Sequence, residues 1–210
     1  MTSPESDTAS LAATTKAVLY LASTSPFRRA VLSKLGVAFE VRTPHVDESP
    51  LAGESAQQLV ARLAKAKAVA VAEDLEEGLV IGSDQVAVID GDILGKPGTH
   101  ARAVDQLRRA SGKRVQFYTG LCLYNAATGA AQVEVVPFGV EFRPLSDKQI
   151  ESYLQREQPY NAAGSFKSEG LGIALFQRLD GDDPNALVGL PLIVLVRMLA
   201  HEGVDVLTDY

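Results

Sequence analysis

Cysteine is nearly missing: Cys122 stands alone in a chain of 210 residues. No intramolecular disulfide and no cysteine-cluster metal site can form, which suits a reducing cytoplasm. Histidine is almost as scarce, and His45, His100 and His201 share no zinc-ligand spacing. Positive charge is in deficit, with a net charge of −6. A nucleic-acid-binding surface is not expected, so basic residues should matter locally. Long hydrophobic runs are also lacking. The longest, Leu187 to Ala200, is broken by Pro191 and Arg197, so no membrane span is expected. The first 16 residues lack the charged start and apolar centre of a signal peptide and read as a disordered tail. There is no Walker-type glycine loop, no dinucleotide fingerprint and no support for a serine-histidine-acid triad.

What is present is enough for a core. The chain is 46% apolar and 22% charged. That fits one large domain, or two closely packed lobes, over residues 17–210. The stretch Leu79 to Pro97, LVIGSDQVAVIDGDILGKP, organises the rest. Branched apolar residues flank a polar break that holds Asp84, which reads as a buried strand presenting chemistry. Asp90-Gly91-Asp92 turns the chain into a hairpin, and Gly95-Lys96-Pro97 ends it. The hairpin thus carries an acid on one strand and a lysine just past the other. An acid can act as base or metal ligand, and a lysine can hold phosphate.

Ahead of it, Ala17 to Ala22 reads as a buried strand. Ser25 caps a short helix that opens with Pro26 and ends at Gly36. Such a strand-loop-helix start aims backbone N–H groups at an anion above the strand end. Arg28 and Arg29 in the first turn oppose the helix dipole, a local conflict that hints at function. Glu48 lies in an acidic loop. Ser55 to Glu73 reads as an amphipathic helix carrying Arg62, Lys65 and Lys67. Further helices are expected over Thr99 to Ala110, Ser146 to Arg156 and Leu190 to His201. Strands are expected over Val115 to Tyr124, Gln132 to Phe142 and Ala174 to Leu179. Asn161 to Gly172 is a glycine-rich loop whose Phe166, Leu171 and Ile173 are expected in the core, the pattern of a loop lying against a ligand. Asp180 to Asn185 reads as a turn, without the spacing of a calcium loop.

The segments STSPFRRAVLSKLG, VDE, LAKAKA, IGSDQ, LGKP, YTGL, AGSF and VGLPL occur in that order. Together they resemble the Maf family of nucleoside-triphosphate pyrophosphatases, from about residue 17 to the C-terminus. The resemblance implies an α/β fold like that of inosine-triphosphate pyrophosphatases. That fold is a bent mixed sheet with flanking helices and two lobes around a cleft. It also implies a divalent metal cation such as magnesium or manganese, a cytoplasmic location, frequent homodimers and cleavage between the α and β phosphates. By the same resemblance Asp84 is the proton acceptor. Ser23, Arg28, Lys67 and Lys96 contact phosphate, while Glu48, with Asp84, stands on the metal side. Lys65 is expected at the surface. The chain departs from the commoner pattern at Phe27, Gln85 and Glu169, where that pattern has arginine, threonine and glutamine. Those three, with SFKSEGLG, are similar to the subgroup acting on 7-methyl-GTP rather than dTTP or UTP. The competing expectations are a dTTP/UTP pyrophosphatase and a nucleotide-sensing regulator of cell division without catalysis.

Overall fold

The computed structural model describes residues 17–209. The tail expected over residues 1–16 lies outside them. Strand β1 is Leu19–Ala22, β2 Phe39–Arg42, β3 Leu79–Ile89 and β4 Asp92–Leu94. β5 is Arg114–Asn125, β6 Ala131–Phe142 and β7 Phe176–Asp180. They form one mixed sheet in the order β2-β1-β3-β5-β6-β7, with β4 on β3. β3 does not break at its polar triplet. It runs unbroken because β5 pairs antiparallel along it, from Leu79 opposite Asn125 to Val88 opposite Gln116.

The other edge of β3 is shared. β1 pairs in parallel with Leu79 to Gly82, and β4 pairs antiparallel with Ala87 to Ile89. Between them Ser83 to Val86 have no strand partner on that edge among the described residues. A parallel neighbour thus ends where an antiparallel one has not begun. Ligand sites favour such changes of strand order in α/β sheets.

Helix α1 is Pro26–Leu32, α2 Ala56–Ala72, α3 His100–Ala110, α4 Asp147–Glu157, α5 Pro184–Val188 and α6 Leu192–His201. Side-chain caps set their starts. Ser55 with Gln58, and Ser146 with Gln149, form reciprocal capping boxes, while Ser25 and Thr99 cap singly. The turn expected over 180–185 instead starts α5. Asp183 caps it, Pro184 occupies its first position, and Gly189 at φ 107° ends it. The glycine-rich loop contains two 3₁₀ turns, Ala163–Ser165 and Leu171–Leu175. Phe166 is buried with Phe117, Phe142 and Phe176 around it. Ile173, expected in the core, is 53% exposed.

The two sheet faces are covered differently. On one, α2 lays Ala64, Ala68 and Val71 against Val80 and Cys122, and Val60 and Leu63 against Val86. Burial there pushes the Cys122 thiol up to about 12, so it is unreactive in the folded protein. The opposite face carries two cores. Leu79, Ile81, Leu121 and Leu123 pack with α1 and α6. Ala87, Ile89, Val115 and Phe117 pack with α3, α4 and α5. The division falls at Ser83 to Gln85, so the polar triplet lies between two lobes.

Two glycines let α2 approach. A Cβ on Gly82 would lie 2.1 Å from the Ala64 carbonyl oxygen, and one on Gly120 would lie 2.1 Å from that of Val60. Gly120 is directly opposite Asp84. Gly120→Ala must therefore push the helix backbone outward. Urea denaturation is expected to show a loss of about 1–3 kcal/mol or more, with an unchanged denaturant slope. A variant as stable as the parent would show that α2 can shift freely.

Candidate functional site

Side chains alternate along a strand, so Asp84 faces α2 while Ser83 and Gln85 face the opposite side. On the α2 side Lys67 Nζ is 2.7 Å from Asp84 Oδ1 and 2.6 Å from Glu48 Oε1. Lys67 and Asp84 are buried, while Glu48 sits on an exposed loop. The hydrogen bond from Lys67 holds the Glu48 carboxyl below its ordinary range. Burial opposes that shift, and Lys96 and Arg28 add to it. The two carboxylates share one ammonium, within two hydrogen-bond lengths of each other. The family resemblance takes Lys67 rather than Lys65, and Lys65 is exposed.

The other side is built on the C-terminal end of α5. The Gln85 amide nitrogen donates to the Thr119 hydroxyl oxygen at 2.9 Å and to the carbonyls of Ala186 at 2.8 Å and Leu187 at 3.1 Å. Carbonyls only accept, so they settle the amide orientation that sequence leaves open. The Gln85 oxygen is the face left for a ligand. Arg28 Nε donates to the Gly189 carbonyl at 2.8 Å, and the Ser83 hydroxyl lies 2.8 Å from the same oxygen. The Nη groups of Arg28 have no hydrogen-bond partner among the described residues. Burial pulls the Arg28 guanidinium below its usual range, against the upward pull of Asp84 and Glu48. Arg28 stays a cation there.

A cavity of about 400 Å³ opens at this point, within the range of small-molecule sites. Its wall includes Ser23, Phe27, Arg28, Glu48, Lys67, Gln85, Lys96 and Glu169. Seven of the expected substrate-contacting residues, and Glu48, expected on the metal side, thus converge on one cleft. Asp84 does not reach the wall, because Lys67 stands in front of it. Ser23 is buried, and its hydroxyl oxygen accepts from the Ser25 N–H at 3.1 Å. Lys96 is exposed and has no hydrogen bond or ion pair among the described residues. Glu169 is exposed and held only by a long contact from Ser168.

Some expectations change. The start of α1 offers fewer N–H groups than expected, because Ser25 caps that of Arg28 and Pro26 has none. Arg29 points away from the cleft, exposed beside Phe39 and Val41. Thr119, Asp183 and Gly189 were missed as site residues. The buried Asp183 accepts from the N–H of Asn185 and of Ile193 at 2.8 and 2.9 Å, joining the starts of α5 and α6. The Asp-Pro step was its only sequence signal.

Glu48 and Asp84 are the residues that could hold a metal. Magnesium takes one or two carboxylates and completes its shell with water and substrate phosphates. The pair fits that role, and only with such completion. Among the described residues no group of three histidine, cysteine or acidic side chains could hold a metal. No helix among them is long and apolar enough to cross a membrane.

A mixed sheet whose edge is interrupted beside a cation-lined cleft defines an α/β protein built for a small anionic ligand. More closely, the chain belongs to the Maf family, since the model described as Maf-like protein matches residues 18–202. A Nitrosococcus oceani protein named 7-methyl-GTP pyrophosphatase is 59% identical over 189 residues, covering 90% of this chain and 95% of its own. A Methylobacillus flagellatus protein of the same name is 57% identical, covering 90% and 98%. Among solved structures, the Ham1 protein of Staphylococcus aureus matches with a TM-score of 0.51 at 14% identity. It covers 88% of this chain and 99% of its own. That likeness bears on the fold alone, and the fold is the expected mixed α/β sheet with flanking helices.

Asp183→Ala removes the acceptor shared by α5 and α6. A loss of about 2–4 kcal/mol is expected in urea denaturation. Hydrogen exchange should speed up most at Gly189 and Leu190, whose N–H groups bond to the Asn185 carbonyl. Unchanged protection there would show that α5 holds its place without Asp183.

Proposed function

We propose that this chain hydrolyses 7-methyl-GTP to 7-methyl-GMP and pyrophosphate, clearing a modified nucleotide from the cytoplasmic pool. The observation that carries the reading is the shared cleft. Phe27, Gln85 and Glu169, the departures from the pyrimidine-type pattern, line the same cavity as Arg28, Lys67 and Lys96. The names of the two relatives support it. A homodimer is one assembly that the family resemblance allows.

The roles follow from charge. Arg28 offers two Nη groups, and Lys96 a free ammonium, to a triphosphate that gains charge as it is cleaved. Ser23 can donate its hydroxyl proton to a phosphate oxygen, since its oxygen already accepts from Ser25. Lys67 supplies a third cation. Asp84 accepts the proton of the attacking water and is held by a rigid strand for that task. A divalent cation on Glu48 and Asp84 would polarise the phosphate and lower the pKa of water. At the other end Phe27 offers an aromatic face to a base made cationic by methylation. Glu169 and the Gln85 oxygen accept from the paired N–H donors of guanine.

A panel of nucleoside triphosphates, with and without metal, tests the reading. The expected order is 7-methyl-GTP over GTP, and GTP over dTTP and UTP. Equal rates on 7-methyl-GTP and UTP would restore the pyrimidine assignment. Binding without phosphate release, assayed with added pyrophosphatase, would leave the sensor reading instead.

Two variants refine it. Asp84→Asn should lower turnover by on the order of 100-fold or more while the protein stays folded. Near-normal turnover would remove Asp84 as the base. Glu169→Gln should erode the preference for 7-methyl-GTP most, because a glutamine sets one N–H donor against another.

A further inference from the structure

The metal-side carboxylates already have a cation. Lys67 Nζ stands 2.6 Å from Glu48 and 2.7 Å from Asp84, and it screens Asp84 from the cleft. Its charge is not surplus. Two carboxylates this close would repel each other without it. Around them, the cations that act on Glu48 are Lys67, Lys96 and Arg28. Of these only Lys67 contacts Asp84.

We propose that Lys67 is a resident counter-cation that competes with divalent metal for Glu48 and Asp84. This rests on the triphosphate reading of the cleft. Before nucleotide binds, the ammonium offsets one of the pair's two negative charges and occupies the space between them, so a divalent ion entering alone meets its charge. A triphosphate changes the balance. Its oxygens are anions on the open side of Lys67, and they offer the ammonium a second place to go. When Lys67 turns to phosphate, it leaves both carboxylates to the metal and opens Asp84 to water. Metal and nucleotide therefore enter as partners, with Lys67 coupling the two. The coupling is reciprocal, so metal also raises affinity for the triphosphate. The same lysine keeps a basic carboxylate covered while the cleft is empty.

The test is Mn²⁺ binding in the absence of nucleotide, read by the electron paramagnetic resonance of free Mn²⁺. The parent is expected to bind weakly. Lys67→Met should bind at least about tenfold more tightly, since a competing charge at contact distance is gone. Lys67→Arg keeps the charge and should stay weak. Adding Glu48→Gln to Lys67→Met should remove the gain, which locates the ion. Equal affinity in parent and Lys67→Met would overturn the proposal. If Lys67→Met does not fold, the parent decides by its ¹H–¹⁵N lysine ammonium resonances. That of Lys67 should be unmoved by Mg²⁺ alone and shift on addition of inorganic triphosphate with Mg²⁺. A shift with Mg²⁺ alone would overturn the proposal. Neither readout needs hydrolysis or a particular base, so failure here is distinct from failure of the 7-methyl-GTP panel.

Discussion

The approach of α2 to the sheet is the constraint on which the site depends. Gly82 and Gly120 present no side chain, so the helix backbone rests directly on the strands. A helix held off by ordinary side chains would sit further out. Lys67 then could not reach both Asp84 below it and Glu48 beside it. The same approach buries most of Asp84 and makes its pairing with an ammonium necessary. An isolated buried carboxylate is costly, and a buried charge is tolerated only with a partner. Backbone packing thus decides the electrostatics of the cleft.

The second element is the interrupted edge of β3. Where β1 stops and β4 has not begun, the strand is exposed to side chains from both faces. One face holds Asp84 and its lysine. The other holds Gln85 and Ser83 against the last carbonyls of α5 and the carbonyl of Gly189 that ends it. Those carbonyls take donors from Gln85, Thr119 and Arg28. A helix terminus therefore orients both Gln85 and Arg28 on the wall of the cleft. Asp183 fixes that terminus from below by tying α5 to α6.

Much of this was legible in the chain. The strand at Leu79, the caps at Ser25, Ser55 and Ser146, and the hairpin at Asp90 are local signals, and each element formed close to its expected bounds. Local pattern failed where tertiary pairing decides. The triplet Ser83-Asp84-Gln85 reads as a break by hydropathy, yet β5 keeps it in the ladder. α5 is only five residues long and carries no period to detect. Thr119 lies in the YTGL segment, but that segment assigns it no role, and only the register puts it opposite Gln85. The screening of Asp84 by Lys67 is invisible to sequence too, since residues 67 and 84 meet only through the packing of α2.

The distribution of charge along the cleft bears on the ligand more than any single contact. Its wall carries Arg28, Lys67 and Lys96, while Glu169 is exposed on the glycine-rich loop. An anionic tail with a cationic head matches that polarity, and a triphosphate of 7-methylguanine has this form. GTP has the same tail but a neutral head, so it gains only the first half of the match. A cation over an aromatic face is worth roughly 0.5–2 kcal/mol, which is a few-fold to thirty-fold in binding. The ring of Phe27 already has a cation near it. Lys167 Nζ lies 6.0 Å from its centroid, anchored by the Glu157 carbonyl at 2.9 Å. That lysine is tied to the end of α4 and does not line the cavity. Its charge is offset by the helix terminus it caps, since the C-terminal end of α4 is the negative pole of its dipole. Phe27 and Glu169 thus share the cavity wall, an aromatic ring and a negative charge of the kind that would suit a cationic purine head on the proposed reading.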